Sequence, residues 1–380
     1  MEIDKNLVFT LTEYHQRAEK IRGYMREKGI SLLIIDQTEF LFYLTGFSVS
    51  ENMYRACLLP LEGEPVMIFR AMDEHTFRQN SWLTDIVTFA DWQDPLEVII
   101  NTITERGWDQ LNIGVDFDSY CMTVKRFNRL QSFFPSRPLR DFSGVLELLR
   151  ESKTPREIDY IAKAAAVGDL ALSAAVAELG VGKSGRKAAA IVHQVFMQHG
   201  LDSARYGIIT TGVGNSFLHG NLHSHPLTEG EIVHMELVPI LNGYSARLMR
   251  PAIVGKASQR QKDIAAQLIA IQDAQFAAMR PGAVAKDIDA LARNAVLDAG
   301  LREDYAGITG YVLGYYSRYT PHTSDFSRVF LPNAEWVLKP GMVFHMYIYA
   351  QGLAFSETIA ITDRGHVRLT QAPRQLFIAP

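Results

Sequence analysis

The feature that most constrains this 380-residue chain is a weak internal repeat in its second half. Gly182 to Leu201 and Gly282 to Leu301 each run from a glycine, through an Ala-rich amphipathic helix pattern, to Gly-Leu. Ile191 corresponds to Leu291, Val195 to Ala295 and Gly200 to Gly300. The offset is too long for a solenoid, whose repeats recur at about 20–50 residues. Two copies of a helix-plus-sheet unit facing each other fit it; the alternative is a coincidence between two glycine-ended helices. Strand patterns follow each copy, at 206–211, 232–241, 343–349 and 358–362.

Ahead of the repeat the pattern is different. Tyr14, Ala18, Ile21 and Met25 recur at helical spacing, and Gly29 can stop that helix. Residues 31–35 are a short apolar run suited to a buried strand, and 111–115 read as another. Residues 56–61 and 65–69 flank Glu62-Gly63 as the arms of a hairpin. Strands separated by helical patterns predict an α/β sheet covered by helices. A boundary falls near Ser152. Thr154 can cap a helix, Pro155 suits its first turn, and Glu157 completes a capping box. Ile158, Ile161, Ala165, Leu172 and Val176 then mark the apolar stripe of a long helix. Two domains are expected, 1–151 and 152–380, since the chain is long for one core.

Charge excludes some functions. A net charge of −4 argues against a nucleic-acid binder, which needs a basic face. No apolar run reads as long enough to span a bilayer, and the first ten residues lack a signal-peptide core, so a cytoplasmic protein is expected. Cys57 and Cys121 read as buried structural thiols, not as a disulfide or a thiolate metal cluster.

Few residues carry a chemical signal of their own. Gly182-Lys183-Ser184 looks like the end of a phosphate loop, but Ala177 stands where the first glycine is needed, so a helix entry capped by Ser184 is the better reading. His219, His223 and His225 lie in a loop with Gly220 and Pro226; any one can serve general acid/base chemistry, or all can be surface residues. Glu236 interrupts an otherwise apolar strand. A buried carboxylate there costs several kcal/mol (of order ~3–5 when unpaired) unless it finds a partner such as Arg247 or Arg250. Glu357, just before the strand 358–362, poses the same question.

Four segments, in order, resemble the creatinase/prolidase/aminopeptidase P family. Leu149 to Ile158 is similar to its linker and first helix. Glu229 to Val233, Asn242-Gly243-Tyr244 and Arg250 are similar to its "G-D-x-V … G-Y … R" segment. Leu338 to Phe344 is similar to "L-x-P-G-M-V-F", and Glu357 to Gly365 to the closing "E-D-T-V-x-V-T-x-x-G". The resemblance runs over nearly the whole chain. It implies an N-terminal creatinase-type α/β domain and a C-terminal pita-bread α+β domain, whose two halves would account for the repeat.

The family's peptidases bind two metal ions through Asp, Asp, His, Glu and Glu. Here the resemblance puts Glu236, Arg247, Tyr311 and Tyr347 at four of those positions and keeps only Glu357. An arginine among the ligands sets a fixed positive charge against two cations, so no metal and no other cofactor is expected. Creatinase, which works without metal, looks like the nearer relative. Its catalytic histidine maps to His219, and its segment with a shared proline to 236–244. Met249 stands at its substrate-binding Glu, so creatine is not the expected substrate. The resemblance implies a metal-independent hydrolase of a C–N bond, amidine or amide, in a small carboxylate-bearing metabolite, as in ectoine hydrolases. In that reading His219, Glu236 and Glu357 are catalytic, while Arg247, Tyr311, Tyr347 and Arg318 bind substrate. Family dimers imply a homodimer in which Arg55 of one chain completes the other's site. An Xaa-Pro peptidase and a non-catalytic binding protein are the alternatives.

Overall fold

A computed structural model describes residues 5–47, 53–202, 207–214, 216–316, 320, 322, 324 and 326–380. The chain divides into two compact units, 1–150 and 151–380, one residue from the expected boundary.

In the first unit the helix Leu11–Glu27 buries Tyr14, Ala18, Ile21 and Met25, the stripe read from sequence. The six-stranded sheet has the order Ile86–Phe89, Val66–Arg70, Ala56–Pro60, Leu32–Ile35, Ile113–Val115, Arg140–Asp141. Ala56–Pro60 and Val66–Arg70 form the antiparallel hairpin that Glu62-Gly63 announces, with Gly63 at φ 96°. Leu32–Ile35 pairs antiparallel with Ala56–Pro60 and parallel with Ile113–Val115.

The second unit begins with the predicted capping box. Thr154 accepts from the Glu157 N–H, and the Glu157 side chain accepts from the Thr154 N–H. The helix Pro155–Ala177 that follows is, by length and composition, apolar enough to cross a membrane, contrary to the sequence expectation. It packs instead as a core helix. A Cβ added at Gly168 would stand 2.9 Å from Pro239 and 3.1 Å from Leu248, so glycine admits the close approach to the sheet.

The repeat is structural. Helix pairs Pro155–Ala177 with Gly185–Gln198, and Gln259–Ala277 with Ala285–Asp298, each precede three antiparallel strands. The first triplet is Gly207–Gly212, Ile232–Leu237 and Leu248–Val254; the second is Gly310–Val312, Val343–Ala350 and Leu353–Thr362. They join at their third strands, giving one continuous sheet. Leu248–Val254 and Gln259–Ala277 were not read from sequence. Ser184 takes the cap position of Gly185–Gln198, though its side chain makes no cap hydrogen bond.

The helices cover one side of this sheet. Val233, Met235 and Leu237 pack with Ala171, Leu172 and Val192. Phe344, Met346, Ile359 and Ile361 pack with Phe276 and Ile288. Strand alternation therefore turns the intervening residues to the opposite, inner face.

Candidate active site

Polar side chains, with Met249 among them, stand in two adjacent rows across that inner face. One row is fixed by the register Glu236–Met249–Ser356–Tyr347. The next holds Thr358, His345 and Tyr311 in register, with Arg247 beside Thr358. The Thr358 hydroxyl accepts from the Arg247 N–H and donates to the Arg247 carbonyl, both at 2.8 Å. Arg247 Nη1 donates to Glu236 Oε1 at 3.3 Å, with both side chains almost entirely buried. The sequence expectation that Glu236 needs an arginine is met by Arg247.

Two histidines absent from the sequence reading belong to this face. His234 lies two residues before Glu236 and is buried. Burial first, then the nearby charge of His219, holds its imidazole down to about 3. His345 is wholly buried, and burial, Arg247 and His234 push its imidazole well below the ordinary range. Both rings are therefore neutral at neutral pH. The Tyr311 ring lies 5.2 Å from His345, edge-on, and Tyr347 lies 5.2 Å on, tilted. Burial pushes the Tyr311 phenol up to about 12 and the Tyr347 phenol higher still, so both remain hydrogen-bond donors. Among the described residues, His234 Nδ1, both ring nitrogens of His345 and the Ser356 hydroxyl are buried without a hydrogen-bond partner.

Glu357 requires a correction. Its position in the Leu353–Thr362 strand faces the helices, opposite to Ser356 and Thr358. Arg250 Nη2 donates to its Oε1 at 2.7 Å, and Arg374 Nε lies 3.3 Å from the same oxygen. The Thr370 hydroxyl donates to its Oε2. The closing motif has ten positions, whereas Glu357 to Gly365 spans nine residues. Aligned on Thr358, the motif's Glu falls on Ser356 and its Asp on Glu357. The one-residue shift changes face, so Glu357 is a structural ion-pair partner and Ser356 is the inner-face residue.

The other expected residues separate. His219 is exposed, near enough to His234 to act on it electrostatically. His225 Nε2 pairs with Glu231 Oε1 at 2.7 Å, and His223 lies against His225 with ring centroids 5.6 Å apart; these two form a surface cluster. Arg318 lies outside the described residues. Arg55 is buried in the first unit and donates to the Thr38 hydroxyl at 2.6 Å, so it is engaged within its own domain. A signal for the missed histidines did exist: His234/Glu236 and His345/Tyr347 both place polar residues at i and i+2 in strands.

Comparison with known proteins agrees with this architecture. Residues 159–367 match metallopeptidase family M24, and residues 17–152 match the creatinase/prolidase N-terminal domain. An ectoine hydrolase from Halomonas elongata is 28% identical over 403 residues, covering 99% of this chain and 100% of that protein. An Xaa-Pro dipeptidase from Pyrococcus horikoshii is 28% identical over 96% of this chain and 99% of its own length. The crystal structure of a prolidase from Thermococcus sibiricus superimposes with a TM-score of 0.83 at 23% identity, over 96% of this chain and 99% of that one.

The name of the matched family implies a metal, and the residues present do not fit one. A guanidinium occupies the space next to Glu236, and Glu357 is turned to the other side. Among the described residues, no three His, Cys, Asp or Glu side chains are grouped to hold an ion. Tyrosine and serine hydroxyls are poor ligands for the divalent ions such sites use.

Proposed function

Starting from the fact that this chain is a hydrolase belonging to metallopeptidase family M24, we infer that it hydrolyses a C–N bond, amide or amidine, in a small carboxylate-bearing molecule, without a metal. The observation that carries this reading is the buried Glu236–Arg247 pair on the inner face. Without substrate the two charges neutralise each other. A substrate carboxylate matches the planar fork of Arg247 and competes with Glu236 for it. Glu236, released beside the scissile carbon, takes a proton from the attacking water. His219 returns a proton to the leaving nitrogen, and the phenols of Tyr311 and Tyr347 donate to the oxygen or nitrogen on which negative charge develops. The likeness to the Halomonas elongata ectoine hydrolase supports a small-molecule substrate.

The test is turnover by the purified protein in EDTA, screened on N-acyl amino acids, ectoines, creatine and Xaa-Pro dipeptides. Hydrolysis that persists in EDTA is expected for a member of the first two groups. The Pyrococcus dipeptidase, equally similar, favours a second reading as a peptidase. Activity confined to Xaa-Pro dipeptides and dependent on added manganese, cobalt or zinc would establish that reading and overturn the first.

A further inference from the structure

We propose that the first unit binds a phosphate monoester with a ring-sized apolar body, in a cavity between the starts of the helices Pro95–Glu105 and Val124–Phe133. The site does not depend on the hydrolase reading above. The cavity measures about 430 Å³, within the ~300–1,000 Å³ common to small-molecule sites.

The topology brings its parts together. Ile86–Phe89 and Ile113–Val115 run in the same direction through the sheet. The two helices follow these strands, so both helices start beyond the strands' carboxyl ends, where open α/β sheets commonly receive ligands. Met53 and Tyr54 reach the same end because they precede Ala56–Pro60, which runs antiparallel. With Pro95 and Leu96 they give the cavity an apolar wall, in which Tyr54 and Leu96 are buried. The Tyr54 hydroxyl donates to Asp36 Oδ2 at 3.0 Å, which anchors the ring.

Charge selects the ligand. Lys125, Arg126 and Arg129 line the cavity against a single acid, Asp94. Arg129 is already paired, with Asp94 and, at 2.7 Å, with Glu97. Asp94 also caps its own helix, accepting from the Leu96 N–H at 2.9 Å. Arg126 Nη1 donates to the Cys121 carbonyl at 2.5 Å, and its guanidinium lies 4.4 Å from the centre of the Tyr54 ring. Among the described residues, neither Arg126 nor Lys125 has a carboxylate partner. Both stand in the first turn of Val124–Phe133, which holds no acidic residue. Cations there oppose the positive end of the helix dipole, so their placement is locally unfavourable. An anion in the cavity answers both. Two unneutralised cations match a dianion better than a monocarboxylate. A phosphate monoester carries a charge of about −1.5 to −2 at neutral pH and offers several acceptor oxygens, while the apolar wall takes its organic part.

The experiment titrates the full chain with phenyl phosphate, benzoate and inorganic phosphate by isothermal titration calorimetry at low salt. Phenyl phosphate should bind at least about tenfold more tightly than either of the others, since benzoate lacks the dianion and inorganic phosphate lacks the apolar body. Lys125→Ala and Arg126→Ala should each weaken it about tenfold, the worth of one hydrogen bond to a charged group. Lys125→Glu should abolish binding and at the same time raise the melting temperature of the ligand-free protein, because an acid at that position favours the helix dipole. A purely structural role for Lys125 would not give those opposite signs. Lys125 is exposed, so its two variants decide the matter even if Arg126→Ala does not fold. The proposal is overturned if phenyl phosphate does not bind at millimolar concentration, or if benzoate or inorganic phosphate binds as tightly. It is also overturned if the Lys125 variants bind phenyl phosphate as the unaltered protein does, or if Lys125→Glu lowers the melting temperature.

Discussion

Replacing Glu357 by Gln separates the two faces of the sheet. Its carboxylate and the Arg250 guanidinium are both 0% exposed, 2.7 Å apart. Arg250 also donates to the carbonyls of Met249, Ser356, Ala372 and Pro373, at 2.8–2.9 Å. Gln keeps the shape and a hydrogen bond from Thr370, but it leaves the Arg250 cation buried without its paired carboxylate; Arg374 loses one of its two acidic partners and keeps Asp273. Breaking a buried pair in this way costs about 3–5 kcal/mol. At about 2–4 °C per kcal/mol for a unit of this size, the melting temperature of the second unit should fall by about 6–20 °C. Differential scanning calorimetry reads that shift, and kcat measured well below the new transition should be close to that of the unaltered protein. The reasoning is refuted by a melting temperature that does not move. It is equally refuted by an unmoved transition accompanied by loss of kcat, which would return Glu357 to the active site.

Further outcomes follow from the same geometry. Glu236→Gln should lower turnover at least about 100-fold, the scale of general acid–base catalysis, with the circular dichroism spectrum unchanged; substantial residual activity removes Glu236 from the mechanism. Gly207 has φ 111°, and a Cβ there would lie 1.7 Å from the Glu236 carbonyl oxygen. Gly207→Ala should therefore cost about 1–3 kcal/mol or more in urea unfolding and displace the strand that carries Glu236, with turnover falling in parallel. In the first unit, burial lifts the Asp36 carboxyl to about 6 against hydrogen bonds from Ser119 and Tyr54. Its stabilising contribution, about 3 kcal/mol at most, is full below the unfolded value and lost as pH rises through about 6. The melting temperature should fall across that window, less steeply in Asp36→Asn. His234 has the opposite sign. Its folded value, about 3, lies below the unfolded one, so its contribution is present above about pH 6.5 and is lost on acidification; His234→Gln should flatten that limb of a pH–melting curve.

What was legible in the sequence was what depends on local chemistry. Thr154, Pro155 and Glu157 fix a helix start through contacts within four residues, and the structure has it at those positions. Glu62-Gly63 turns a hairpin for the same reason. Leu248–Val254 was missed because Arg250 and Pro251 break its apolar pattern. Its identity as a strand comes from pairing with Ile232–Leu237 and Leu353–Thr362 on its two sides, and no single segment encodes that.

The site was misread at one point for a related reason. A strand with one wet face announces its phase by alternating apolar and polar residues. Here Ile232–Leu237 is buried throughout and Leu353–Thr362 is buried at every position but the last. Hydrophobicity therefore cannot say whether Ser356 or Glu357 looks inward. The partners can. A buried carboxylate requires a cation, and Arg250 sits among the residues packed against the helices, while Arg247, three positions earlier and on the other face, takes Glu236. The sheet thus carries two buried ion pairs on opposite sides. The one on the helix side is enclosed by backbone carbonyls and Thr370, which suits a structural role. The one on the inner side borders His234, His345 and Ser356, which carry buried polar atoms without a hydrogen-bond partner among the described residues, and these surroundings suit the catalytic role proposed for Glu236.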